Sequence, residues 1–184
     1  MKKIILTVFA ASSLLLYSTP SFALLNFSVG VPLSHTFTGK TTSGADMESD
    51  GSPSGYFIQI GVPLLPGLGM DSYKTKVKCE GCDGDLHIAT TMYNLYYLLP
   101  IPIVNLTIGL GTGKTEYSYG GVAVDDGAAT QWYTSFGMPI MPLFDLHLSY
   151  RSISSKIEST SGDDKGTKYD YGGSVMGLGI GFNF

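Results

Sequence analysis

The sequence is short of charge, of cysteine and of long apolar runs. Only 14% of its 184 residues are Asp, Glu, Lys or Arg, where a soluble globular chain carries about 25%. Beyond residue 23 no uninterrupted apolar run reaches the roughly 18 residues that a membrane-spanning helix requires. The longest apolar stretch, Leu95 to Leu110, is broken by Pro100, Pro102, Asn105 and Thr107. Transmembrane helices are therefore excluded. Basic residues are also scarce, with 11 Lys+Arg against 15 Asp+Glu and a formal net charge of −4. That balance argues against nucleic acid as a partner. The only cysteines are Cys79 and Cys82.

The N-terminus is an address label rather than part of a fold. Lys2 and Lys3 form a short positive region, Ile4 to Leu16 is mostly apolar, and Pro20 breaks any helix. Ser21-Phe22-Ala23 then supplies small residues at the −3 and −1 positions of a cleavage site. Residues 1–23 are expected to be a cleaved signal peptide and residues 24–184 the mature domain. Loss of the two lysines takes the net charge to −6. No cysteine follows the cut, which argues against a lipid anchor.

What is abundant is glycine, 24 residues, and tyrosine, 12, arranged with a period of two. Met176, Leu178, Ile180, Phe182 and Phe184 alternate with Gly177, Gly179, Gly181 and Asn183. Val104, Leu106, Ile108 and Leu110 alternate with Asn105, Thr107, Gly109 and Gly111. Comparable alternation runs through Leu25 to Leu33, Tyr56 to Val62, Gln131 to Met138 and Phe144 to Arg151. Such alternation marks strands with two unlike faces. The second face is Gly, Asn, Gln, Ser and Thr, with few of the Lys and Glu residues that a solvent face would carry. The apolar set then faces lipid and the small polar set fills an interior. A soluble periplasmic β-sandwich is the weaker alternative.

Short proline-marked turns fall at Leu65-Pro66-Gly67, Pro100-Ile101-Pro102 and Pro139 to Pro142. Longer polar loops fall at Thr38 to Pro53, Cys79 to Asp85, Gly120 to Gly127 and Glu158 to Lys168. Three turns and four loops connect eight strands, expected at 24–37, 54–64, 67–78, 86–99, 104–119, 128–139, 143–157 and 169–184. The fold class is all-β, an eight-stranded antiparallel up-and-down transmembrane β-barrel with both termini periplasmic. Pro32 lies inside the first strand, where a closed barrel offers no free edge, and a bulge is expected there. Strand 67–78 alternates weakly, which leaves its facing open.

With these residues the mature chain resembles small eight-stranded bacterial outer-membrane proteins of the OmpA/OmpX type. The closing Gly181-Phe182-Asn183-Phe184 looks like the signature through which the barrel assembly machinery recognises its clients, with Phe182 and Phe184 as the assembly signal. Val62-Pro63-Leu64-Leu65-Pro66 and Leu99-Pro100-Ile101-Pro102-Ile103-Val104-Asn105 are similar to the turns of a family of proteobacterial outer-membrane proteins. The resemblance implies an outer-membrane location and supplies no activity.

Candidate chemistry is sparse. Gly109 to Thr115 looks like a phosphate-binding loop, but the first glycine that motif requires falls on Ile108. Cys79-Glu80-Gly81-Cys82 has no second pair, and in an oxidising compartment it reads as a disulfide capping a loop. His147 and Ser149 lie two apart on one strand face, with Glu158 later. They are similar to the His-x-Ser pair and Glu of the lipid A 3-O-deacylases, although those enzymes place the site on the lipid side. The plainer reading makes Asp71, Asp145, His147 and Arg151 an interior polar network, since buried charges need partners. Lys74, Lys76 and Lys78 share a face and are candidates to clamp lipopolysaccharide phosphates. Eleven acidic residues, among them Asp46, Glu48, Asp50, Asp85, Asp125 and Asp126, crowd the outer loops without the ligand spacing of a calcium loop. Tyr56, Tyr117, Tyr119, Trp132, Tyr150, Tyr169 and Tyr171 are expected in an outer aromatic girdle, and Tyr97, Phe144, Phe182 and Phe184 in a periplasmic one.

The leading expectation is a non-enzymatic outer-membrane barrel with a structural or surface-interaction role through its external loops. Lipid and lipopolysaccharide are its partners, and no cofactor or metal is called for. A narrow channel for small or apolar solutes is the first alternative, suggested by the inward glycines. A lipid A-modifying enzyme is the second.

Overall fold

The computed structural model describes residues 25–40, 46–62, 65–78, 85–101, 104–141, 143–159 and 165–184. The expected signal peptide and the Cys79–Cys82 pair lie outside the described residues. Nine strands are present: β1 (Asn26–Phe37), β2 (Ser54–Gly61), β3 (Gly67–Val77), β4 (Leu86–Ile101), β5 (Val104–Tyr119), β6 (Val122–Met141), β7 (Phe144–Glu158), β8 (Lys168–Asp170) and β9 (Gly173–Asn183). Each of β1 to β7 pairs antiparallel with the next, β7 pairs with β9, and β9 returns to β1. The result is a closed wall of eight staves. The seam is sealed at its end by Leu25 and Phe184, whose backbone N–H and C=O groups bond reciprocally at 3.0 and 2.9 Å.

The faces are inverted relative to a water-soluble domain. Leu110 is 67% exposed and Leu68 64%, while Asp71 is fully buried and Arg151 2% exposed. A continuous exposed apolar surface that includes Ile58, Leu95, Phe136, Leu148 and Leu178 is what a bilayer requires of a barrel wall.

Three expectations need correction. The polar stretch at Gly120 is not a long loop. Gly120 and Gly121 take φ of 57° and 85°, the pair of positive values that a tight two-residue hairpin demands. β6 therefore begins at Val122 instead of 128, and Asp125 and Asp126 sit on a strand, opposite Tyr117 and Glu116. The last strand is split. Asp170 Oδ1 accepts a 2.8 Å bond from the Gly172 N–H, a local turn that separates β8, paired only with β7, from β9. Tyr117 and Tyr171 do not belong to a girdle, because they pack inward against the outer core. A bulge does occur at Pro32: the β1–β9 register shifts between Pro32 and Ser34. The β1–β2 ladder ends before it, at Gly30 opposite Phe57.

Four inward glycines are sockets for large side chains. A Cβ on Gly109 would lie 2.2 Å from the Tyr133 ring, one on Gly67 2.3 Å from Tyr96, one on Gly177 2.4 Å from Phe57 and one on Gly181 2.2 Å from His147. Each ring occupies the space that the neighbouring strand leaves by having no side chain. At these four positions the space beside the glycine is occupied by a ring. Gly109→Ala is expected to destabilise the barrel by about 1–3 kcal/mol through overpacking against Tyr133, and to cost much less in a Tyr133→Leu background. Urea unfolding, followed by the heat-shifted gel band of the folded barrel, measures both.

Candidate functional site

The interior is built in tiers. Along β3, Asp71, Tyr73, Thr75 and Val77 point inward and Lys74 outward, so period two carries a carboxylate to the centre of the barrel. Arg151 arrives there from β7. Its Nε donates to Asp71 Oδ2 at 3.0 Å and its Nη2 to Asp71 Oδ1 at 3.4 Å. A third guanidinium nitrogen donates to Ser149 Oγ, which itself donates to the Gly177 carbonyl at 3.3 Å. Gln131 Nε2 donates to Asp71 Oδ2 and to Asn94 Oδ1, each at 2.6 Å. The guanidinium carbon lies 3.4 Å from the centre of the Phe57 ring and 5.1 Å from that of Tyr133. A two-point ion pair with a partner for the third guanidinium nitrogen and aromatic faces beside it is an arrangement in which a buried charge pair is tolerated.

Below this plug lies a second polar tier. Asp145 accepts from Asn105 Nδ2 and, at 2.7 Å, from Asn183 Nδ2. Asn26 Nδ2 donates to Asn183 Oδ1 at 2.7 Å. His147 Nε2 stands 4.0 Å from Asp145, and its Nδ1 is 3.4 Å from Ser135 Oγ. The four expected network residues thus fall into two tiers, Asp71 with Arg151 and Asp145 with His147. His147 does not bridge the two carboxylates. His147 and Ser149 both point into the barrel but share no hydrogen bond: Ser149 is committed to Arg151 and Gly177. Glu158 is exposed and pairs with Lys168 at 3.6 Å. His147, Ser149 and Glu158 therefore assemble no nucleophile–base–acid relay. An interior cavity lined by Ser28, Phe57, Gln59, His147, Ser149 and Arg151 holds about 20 Å³, space for one water.

Above the plug the core turns apolar. Phe57, Tyr73, Met92, Ala129, Ile153 and Val175 form one cluster. At the outer mouth Phe37, Met47, Val77 and Ile88 form another, with Leu86, Tyr117 and Tyr171 against it. Met47 comes from the first outer loop, whose backbone completes the wall where β2 has not begun. Asp50 N–H bonds the Lys76 carbonyl and Lys78 N–H the Glu48 carbonyl, both at 2.8 Å.

Lys74 and Lys76 face outward at the rim, which resolves the facing of β3, and Lys78 follows just past its end. Lys76 Nζ lies 2.9 Å from Asp85 Oδ1 and 3.2 Å from Asp50 Oδ2, and Lys78 Nζ 3.3 Å from Glu48 Oε2. The Lys76 ammonium holds the Asp85 carboxyl below the usual carboxylate range. Lys74 has no ion pair among the described residues. Among these residues no group of three His, Cys, Asp or Glu is placed to hold a metal ion.

Sequence reasoning found the charged members of the plug but missed its neutral ones. Gln131 and Gln59 were legible as inward by parity. That Gln131 joins Asp71 to Asn94 depends on three strands meeting. The Met47 cap carried no signal, because an isolated Met in a polar loop looks solvated. Asp71→Asn keeps the side-chain shape but leaves a buried guanidinium without a counter-charge, and is expected to cost about 3–5 kcal/mol. The double change Asp71→Leu with Arg151→Met should recover most of that. Urea unfolding in micelles decides, and an Asp71→Asn barrel as stable as the parent would refute the pair's role.

The sequence matches no family model and no curated protein. Solved structures do share its architecture. Neisserial surface protein A is 16% identical with a TM-score of 0.51, over 87% of this chain and 97% of that one. OprG from Pseudomonas aeruginosa is 14% identical with a TM-score of 0.53, over 88% and 96%. Outer membrane protein W from E. coli is 10% identical with a TM-score of 0.57, over 90% and 100%. At these identities the likeness is one of fold, and the fold of this chain is that of the small eight-stranded bacterial outer-membrane β-barrels.

Proposed function

We propose that this chain is a non-enzymatic outer-membrane barrel that passes nothing through its interior and works at the cell surface, through its outer rim and loops. The observation that carries this reading is the filled lumen. Asp71 and Arg151 join opposite parts of the wall across the middle, aromatic rings occupy the glycine sockets, and an apolar cap that includes a loop residue closes the mouth. Eight strands leave an interior that side chains can fill, and here they do so in three tiers.

A catalytic role draws no support from His147 and Ser149, which face each other's neighbours inside the wall while acyl chains lie outside it. The outward Lys74, Lys76 and Lys78 are the contacts we assign to lipopolysaccharide phosphates. Lys74 is the best placed of the three, since no acidic side chain among the described residues neutralises it. Residues 1–23 direct export and are removed. Phe182 and Phe184 stack with their rings 3° from parallel, and Phe184 is 61% exposed, available to the assembly machinery as the strand enters the membrane.

The refolded barrel is expected to be silent in a planar bilayer, with its heat-shifted gel band proving that it is folded. Steady conductance steps from that sample would overturn the proposal in favour of a narrow channel.

A further inference from the structure

The outward face of β5, β6 and β7 is graded in chemistry. Moving outward, β5 presents Leu110, Thr112 and Lys114; β6 presents Trp132, Thr130 and Ala128; β7 presents Ser152, Ser154 and Lys156. Register places these residues side by side. Leu110 lies opposite Trp132 and Trp132 opposite Ser152, while Thr112 lies opposite Thr130 and Thr130 opposite Ser154. Lys114 lies opposite Ala128, and Lys156 follows Ser155, the partner of Ala129. The small Ala128 side chain leaves the two ammonium groups free to converge across two strand spacings, roughly 10 Å.

This face carries a shallow hollow. Leu110, Thr130, Trp132, Ser152 and Ser154 line an open-sided groove of about 420 Å³, within the usual size of a small-ligand site. Trp132 is half exposed, and its ring is propped by Tyr150 at 5.7 Å between centroids. An exposed aromatic ring beside three hydroxyls suits a sugar, whose C–H face stacks and whose hydroxyls bond. Apolar surface lies beneath it, at Leu110, Phe136 and Leu148, and cations lie above. Lys114 stands 3.5 Å from Glu116 and 4.0 Å from Asp126. These contacts are solvent-exposed and weak, so a phosphate can displace them. Lys156 has no ion pair among the described residues.

We propose that this groove binds one glycolipid of the outer leaflet, a phosphorylated and acylated disaccharide of the lipid A class. Acyl chains lie along the apolar wall, the sugar packs on Trp132 against Thr130, Ser152 and Ser154, and a phosphate lies between Lys114 and Lys156. A phospholipid would leave the hydroxyl tier unused. The inference rests on the reading that the outside of the wall is the working surface. Conductance tests that reading and the titration below tests the groove, so either can fail alone.

Trp132 is the only tryptophan in the chain, so its emission reports on the groove alone. The folded barrel in neutral detergent micelles should be titrated with bisphosphorylated lipid A, with lipid A stripped of both phosphates, and with phosphatidylglycerol. A saturable blue shift is expected with the first, at least tenfold weaker with the second and absent with the third. The double variant Lys114→Gln, Lys156→Gln should bind bisphosphorylated lipid A at least tenfold more weakly, with an unchanged heat-shifted gel band. Equal shifts with phosphatidylglycerol would mean general lipid solvation and overturn the proposal. So would an unaltered response of the double variant, which would move lipid A to another part of the wall. A shift that follows protein concentration alone would assign the groove to a second copy of the chain and equally overturn it.

Discussion

A backbone N–H or C=O inside a bilayer has no water to bond, so it must find its partner within the protein. Everything else in this molecule follows from that constraint. Strands satisfy it only if the sheet has no edge, and here β9 closes the ring by pairing with both β1 and β7. Closure turns one face of every strand to lipid and the other to a narrow interior. The usual pattern is thereby reversed over much of the wall: Leu110, Ile108 and Phe136 lie outside, and Asp71, Gln131 and Arg151 are buried.

The interior must then be solid. Small polar side chains alone would leave voids, and large ones on every strand would not fit. The solution is complementary volume across neighbouring strands, a glycine facing a ring, as with Gly109 and Tyr133 or Gly181 and His147. Within that packing the Arg151–Asp71 pair serves to join β7 to β3 across the lumen. Its burial is costly by itself, and the bonds from Gln131 and to Ser149 offset that cost. A lumen filled in this way is the observation on which the proposed surface role rests.

The strands also run past the membrane. β6 has 20 residues and β5 has 16, whereas a tilted spanning strand needs about 9–11. The surplus carries a different core, the apolar cap around Ile88 and Val77, and a different exterior, where hydroxyls and lysines replace leucines. The face we assign to glycolipid exists because the same strands cross from lipid into the polar layer without interruption.

The sequence by itself determined the class of fold, the strand count and the facing of most residues, because a period of two is a local property that each strand displays alone. It also named Asp71, Asp145, His147 and Arg151, since ionisable residues of inward parity must meet partners. It did not determine strand ends that leave the membrane. Asp125 and Asp126 look like a loop by composition, yet they are strand once the positive φ values of Gly120 and Gly121 close the hairpin. Nor did it separate the network into two tiers or place Met47 over the mouth. Those facts depend on which strands lie adjacent around the barrel and at what register, a relation between residues up to 157 positions apart. Only closure of the wall fixes that relation, and with it the difference between a glycine that opens a pore and a glycine that seats a ring.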